Sequence, residues 1–392
     1  KYIFLLMKVP VLIPRIFDHP HTYLSGKFGK LKPGSIVSVP FGKEKEIGVI
    51  WDKQEETRKK FKLKTILEIK SFSFSENLIK FVNWFSIYNL VPKGMVLKMF
   101  LGDKTFFLKK LELKSENTNK KKIIFNLNKE QKKCLNDINN FGEKFNVTLL
   151  QGVTGSGKTI VYFEALKAII GKGFQGLIML PEIGLTRQFE EKFREFFGFD
   201  PAIWHSGITK KNKKIIWNGI SKGKLKVVIG ARSSLFLPFK NLGLIIVDEE
   251  HDQSYKQDEG VIYNARDMAI SRAYFQNIPI NLVTAVPSIE TFENIKSKKY
   301  KISKIFRRFK DASLPKYEII DLSKSKNLNK SWLSYEVIEK VKKHLEKNDQ
   351  VLFFLNRRGF APFAFCKKCL KNYICPNCSI NLVYHKNKKI LL

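Results

Sequence analysis

Eight consecutive residues, GVTGSGKT from Gly152 to Thr159, have the types and spacing to hold a nucleotide phosphate. Gly152, Val153, Thr154, Gly155, Ser156 and Gly157 can turn their backbone N–H groups towards an anion. Lys158 then reaches the β and γ phosphates of ATP, and the Thr159 hydroxyl is a ligand for Mg²⁺. A second cluster, Asp248-Glu249-Glu250-His251, follows an apolar run and can complete that chemistry. Asp248 suits the Mg²⁺, Glu249 can polarise an attacking water, and His251 is placed to couple the nucleotide to a nucleic acid. Alone, the first stretch would be a glycine turn and the second a solvated acidic loop; together they point to ATP binding and hydrolysis. A third set, Cys366-Lys367-Lys368-Cys369 and Cys375-Pro376-Asn377-Cys378, forms two C-x-x-C knuckles, each able to set two thiolates on one turn for Zn²⁺. Cys134 stands apart and reads as structural.

The elements that must position these groups follow from hydrophobic periodicity. Apolar runs at Val147 to Leu150, Gly176 to Leu180, Ala202 to Trp204, Lys226 to Ile229, Leu242 to Val247 and Ile280 to Val283 alternate with helical patterns. That alternation predicts an α/β fold, a mostly parallel sheet wrapped by helices, with ligands at the carboxyl ends of its strands. The first hundred residues instead show period-two runs near Ile3 to Pro10, Ser35 to Pro40 and Ile47 to Trp51, then a helix over Glu76 to Tyr88. Leu113 to Lys122 reads as a solvated linker. The formal net charge of +35 favours a polyanionic partner, although a Lys-, Asn-, Ile- and Phe-rich composition can also arise from codon bias. No stretch approaches the roughly 18 apolar residues of a membrane span, so a soluble cytoplasmic protein without membrane contact is expected.

Asp-Glu-x-His after a phosphate loop is the mark of the second helicase superfamily. Several segments then resemble, in order, the primosomal protein N′ (PriA) family: LPEIGLTRQ at 180–188, WHSGIT at 204–209, GARSSLFLPFKNLGLIIVDEEHDQSYKQDEG at 230–260 and NRRGFAP at 356–362. The resemblance implies a 3′ to 5′ DNA helicase, probing forked and single-stranded DNA with its 3′ end, that restarts stalled replication forks with primosome and single-strand-binding proteins as partners and works as a monomer. It implies a RecA-like ATP-binding lobe at 127–310, preceded by a β-rich domain at 1–105 that captures a DNA 3′ end and a linker at 106–126. A connector with the first strand of a second lobe, Asp349 to Leu355, lies in 311–362, and a partial cysteine-rich zinc region in 363–392.

Roles carry over by position. Gln131, in LNKEQ, resembles the glutamine that reads adenine. Arg232, with Tyr255, Lys256, Tyr263 and Arg266 in an aromatic-rich loop, resembles the stretch that meets single-stranded DNA. Phe17, Asp18, Gly42 and Lys64 match the 3′-end-binding positions, where a carboxylate can accept from a terminal hydroxyl and an aromatic can stack on the last base. Val261 and Ile262 replace an aromatic and a basic residue of the family loop, and Thr284-Ala285-Val286-Pro287 departs from Ser-Ala-Thr-Pro. About twenty residues between Asp103 and Leu127 are too few for the family's winged-helix domain. In the family each cysteine knuckle pairs with another downstream, so these four are either two incomplete half-sites or one closed Cys₄ site. A C-terminally truncated helicase is the expectation, with a non-enzymatic DNA-fork and ATP-binding module as its alternative. Arg357 and Arg358 are not substitutes for second-lobe arginine fingers.

Overall fold

A computed structural model describes residues 7–52, 63–107, 125–181, 184, 186–308, 316–321 and 333–354, and in the cysteine-rich tail 366, 369, 371–378, 380–382, 384–385 and 390–391. The chain forms two compact units, Lys1–Ser313 and Leu314–Leu392.

The first unit opens with an antiparallel sheet of β1 (Lys8–Leu12), β2 (His21–Leu24), β3 (Ser35–Phe41), β4 (Glu44–Ile50) and β5 (Glu68–Ser73), in the order β2-β1-β4-β3-β5. Alternating residues divide between two cores. Val9, Val11, Val37 and Val39 pack on one face, while Leu12, Ile36 and Val49 join the main core on the other. α1 (Glu76–Tyr88) covers the predicted helix residue for residue, its start fixed by the Ser75 hydroxyl accepting from the Leu78 N–H at 3.2 Å. α2 (Lys93–Leu101) follows.

The same unit continues through α3 (Lys129–Asn140), β6 (Val147–Gly152), α4 (Lys158–Gly171), β7 (Gln175–Met179), α5 (Arg187–Phe197), β8 (Ala202–Trp204), α6 (Lys210–Ser221), β9 (Val227–Gly230) and β10 (Leu242–Asp248). A short hairpin, β11 (Lys256–Gln257) and β12 (Tyr263–Asn264), leads to α7 (Ala265–Gln276), β13 (Ile280–Thr284), α8 (Ile289–Lys296) and β14 (Lys301–Ile305). Seven strands make the expected parallel sheet, in the order β14-β6-β13-β10-β7-β9-β8. Helices cover both faces, which is why the central strands are largely continuous apolar runs rather than alternating, with Thr148 and Asn281 as buried polar exceptions.

The two parts of this unit share one core. Phe85 of α1 meets Phe236 and Tyr263 at ring separations of 5.6 and 5.7 Å. Trp217 Nε1 donates to Phe100 O at 2.8 Å, and Asn218 Nδ2 to Phe106 O at 3.1 Å. Of the expected linker at 106–126, residues 108–124 lie outside the described residues, whereas Phe106 is buried against the lobe.

In the second unit α9 (Tyr335–Glu346) is capped by Ser334, and β15 (Tyr384–His385) pairs antiparallel with β16 (Ile390–Leu391). The strand expected over Asp349 to Leu355 is not formed: residues 349–354 join no ladder, and Leu352 and Phe354 are 88% and 81% exposed. An apolar run becomes a strand only where a neighbouring strand pairs with its backbone, and among the described residues no strand pairs with 349–354. Arg357 and Arg358 lie outside the described residues.

Candidate nucleotide and nucleic-acid sites

β6, β13 and β10 are consecutive in the sheet, so the phosphate loop, Thr284 and the acidic cluster emerge side by side at one edge. Gly155 and Gly157 adopt φ of +80° and +79°, a left-handed backbone that residues bearing a Cβ avoid. At Gly157 a Cβ would also stand 2.4 Å from Gln131 Nε2. That contact reflects where Gln131 lies: it is 2% exposed, its Oε1 accepts from the Asn128 N–H at 2.9 Å, and its Nε2 donates to Ser156 O at 2.8 Å. Gln131 therefore sits beneath the loop and braces it, with its amide turned away from solvent.

Lys158 Nζ donates to Gly152 O at 2.8 Å. Burial lowers its pKa, partly offset by Glu249 and Asp248. Burial pushes Asp248 up to about 6, against hydrogen bonds from the Tyr162 hydroxyl to Oδ2 at 2.8 Å and from the Glu249 N–H to Oδ1 at 3.0 Å. A carboxyl so destabilised as an anion, beside a lysine and a loop of N–H donors, fits a bound cation and phosphate. Tyr162 was not legible as a site residue, and Tyr255, expected at the DNA, serves here instead. The Tyr255 hydroxyl shares its one proton between Asp248 O at 2.6 Å and Met179 O at 3.0 Å, bridging the ends of β10 and β7.

Glu250 is the other residue the sequence concealed. It is 1% exposed and gathers three elements. Its carboxylate accepts from Arg266 Nη1 of α7 at 3.2 Å, from the Ser288 N–H at 2.7 Å and Ser288 Oγ at 3.0 Å, and from Thr291 Oγ1 of α8 at 3.0 Å. Alongside, His251 Nδ1 lies 2.7 Å from Thr284 Oγ1 and 3.6 Å from Glu249 Oε2. The Thr284 hydroxyl also accepts from the Val286 N–H at 3.2 Å, so the hydroxyl retained at position 284 is in use.

The residues expected to meet DNA divide. Arg266 is 7% exposed and bound to Glu250, Asp267 and Ser288; Tyr255 and Tyr263 are 1% and 3% exposed. All three are turned inward, and neither ring offers a face to a base, because both rings pack into the main core. Lys256 stays outside, paired with Asp258 at 3.1 Å, and Arg232 Nη1 donates to Lys256 O at 2.6 Å. Ile262 is 58% exposed at the loop tip and Val261 is buried.

At the other end of the unit, Phe17 lies 5.8 Å from Phe41 and 4.6 Å from His21. Lys64 Nζ donates to Gly42 O at 3.3 Å, where Gly42 has a φ of +60°. Asp18 Oδ1 accepts from the Lys93 N–H at 3.1 Å, capping α2, and its side chain is 66% exposed. The structure thus gathers Phe17, Asp18, Gly42 and Lys64 on one surface.

In the tail, the N–H groups of Asn377 and Cys378 hold the Cys375 thiol below its ordinary pKa, as in a turn built for a thiolate. Among the described residues no three His, Cys, Asp or Glu side chains converge on a metal-sized point. Cys134 is buried on α3, its thiol donating to Lys304 O. Among the described residues, no helix is long and apolar enough to cross a membrane.

Residues 128–295 match the DEAD/DEAH box helicase family and residues 8–102 the 3′ DNA-binding domain of PriA. The replication restart protein PriA of Rickettsia conorii is 43% identical over 384 residues, covering 97% of this chain and 58% of that protein. Its counterpart in Haemophilus influenzae is 41% identical, covering 68% and 36%, and that of Bacillus subtilis is 37% identical, covering 62% and 30%. The chain therefore spans 58% of the length of the Rickettsia relative.

Proposed function

The chain is a homologue of the PriA replication restart proteins, and on that premise we propose that it serves ATP-dependent 3′ to 5′ DNA unwinding at stalled replication forks. The observation that carries this reading is the meeting of Lys158, Thr284 and Asp248 at three adjacent strand ends, in the same compact unit as the 3′-end surface. The loop N–H groups and Lys158 bind and orient the phosphates, and Glu249 accepts a proton from the attacking water. Thr159 and Asp248 would hold Mg²⁺, which when bound neutralises phosphate charge. Forked and single-stranded DNA, primosome and single-strand-binding proteins, a cytoplasmic location and a monomeric state complete the proposal. Measuring ATP binding and fork-stimulated hydrolysis tests it. Binding should fall at least about a hundredfold in Lys158→Ala, since a desolvated phosphate contact is removed; wild-type protein that binds no ATP, or a variant that binds it equally, sinks the reading.

Asp18 and Phe17 would receive the terminal hydroxyl and last base of a 3′ end. Asp18→Ala should abolish any preference for a 3′-hydroxyl over a 3′-phosphate end in anisotropy titrations, and unchanged discrimination would remove that assignment. A fork-binding and ATP-binding module that does not unwind is the second reading, favoured by the inward turn of Tyr255 and Tyr263. It requires fork affinity without fork-stimulated turnover. For zinc the reading is two incomplete half-sites, Cys366 with Cys369 and Cys375 with Cys378. One zinc per chain that protects all four thiols from alkylation would replace this with a closed site.

A further inference from the structure

Behind α3 and α4, at the end of the sheet opposite the phosphate loop, lies a cavity of about 310 Å³. Ile138, Ala165, Ile169, Leu244 and Pro279 give it apolar walls, and Asn281 of β13 gives it a polar floor. Asn281 is 1% exposed, and among the described residues neither its Oδ1 nor its Nδ2 has a hydrogen-bond partner. A buried carboxamide left unpaired is destabilising, and most buried side-chain polar atoms in proteins are paired. Its polar neighbours are already committed. Asn146 Nδ2 donates to the Phe141, Gly142 and Lys144 carbonyls, and Asn146 Oδ1 accepts from the Thr148 hydroxyl at 3.0 Å. Thr148 is the residue in register with Asn281 on β6. At the rim Lys172 forms an ion pair with Glu143.

We propose that this cavity is a second small-molecule site, taking a planar ligand whose carboxamide, or the paired donor and acceptor edge of whose nucleobase, bonds to Asn281. A primary amide presents one donor and one acceptor side by side, so its best partner is another donor and acceptor pair flanked by an apolar ring face. The volume lies at the lower end of the roughly 300 to 1,000 Å³ of small-molecule pockets and far above the ~10–15 Å³ that one water needs. The site is separate from the nucleotide loop. α4 starts at Lys158 and its last turns form one wall, so roughly 15–20 Å of helix lie between the two.

The test is thermal melting and calorimetric titration of the chain with nicotinamide and with adenine, using indole as a control without a paired donor and acceptor edge. Nicotinamide or adenine should raise the melting temperature of wild type and of Lys158→Ala alike, undiminished by saturating MgATP. Asn281→Leu should weaken that probe at least about tenfold, the loss of a paired hydrogen bond. Ala168→Trp, which blocks the mouth from the exposed side of α4 without entering the core, should do the same and decides the matter if Asn281→Leu does not fold. Nicotinamide binding alone marks a carboxamide site, and adenine binding alone a nucleobase site. The proposal is overturned if neither probe stabilises wild type, if binding survives both variants, or if it disappears in Lys158→Ala or under MgATP, which would place the probe in the phosphate loop.

Discussion

At the scale of single residues, Asp248 links protonation to function. Its folded value of about 6 lies above the ordinary 3.8, so the native state holds this proton more tightly than the unfolded chain does. In metal-free protein the stability contributed by that proton is full below about pH 4 and is lost as pH rises to about 6. Cation binding must displace the same proton, so Mg²⁺-dependent ATP affinity should fall up to about tenfold per pH unit below about 6. Calorimetric titrations between pH 5 and 8 check this, and a flat profile would mean that Asp248 is not a ligand. The acidic pair at 248–249 was legible from its strand and spacing. The buried partners were not: a tyrosine within a helical pattern, such as Tyr162, carries no mark distinguishing a core ring from one whose hydroxyl reaches a carboxylate.

At the scale of elements, the carboxylate of Glu250 ties the end of β10 to α7 and α8. Removing one member of a buried charge pair leaves the other without compensation. Glu250→Ala should therefore destabilise the fold by about 3–5 kcal/mol, and Glu250→Gln, which keeps an acceptor oxygen, by clearly less. Chemical denaturation of both variants measures the difference, and equal losses would show that the charge is immaterial. This junction was invisible in the sequence because its members, Glu250, Arg266, Ser288 and Thr291, come from three separate segments. Strands of the parallel sheet were legible because burial on both faces makes them continuous apolar runs, and α1 because its cap and its stripe of Leu78, Phe81, Val82 and Phe85 agree. β14 escaped notice: KISKI alternates and sits at a sheet edge, where half its side chains face solvent. Tyr255 and Tyr263 were expected at the DNA on the family resemblance of their loop, and the core claimed them.

At the scale of the whole first unit, Arg272 does for the two lobes what Glu250 does for the helices. Fully buried, it donates to the Leu235 and Leu237 carbonyls and lies over the rings of Phe100, from the N-terminal part, and Phe239, from the helicase lobe, at 5.6 and 5.4 Å. Burial pulls its pKa down to about 9, so it remains charged at neutral pH, held by carbonyl dipoles, ring faces and the Gln276 amide oxygen, with no carboxylate partner among the described residues. Arg272→Met keeps most of the volume but takes the guanidinium from the Leu235 carbonyl and leaves the Leu237 carbonyl with the Phe239 N–H alone, which should cost about 1–3 kcal/mol. Calorimetry should also show one transition for the N-terminal sheet and the helicase lobe in wild type; separate transitions would contradict a shared core.

That shared core has a consequence for mechanics. With Trp217 bonded to Phe100 and α1 packed on α7, the surface carrying Phe17 and Asp18 and the edge carrying Lys158 belong to a single compact block. A strand terminus docked on that block would be a fixed origin. Any stroke driven by ATP would then be registered against it like a carriage against a stop, and the moving part would have to be something other than the clamp.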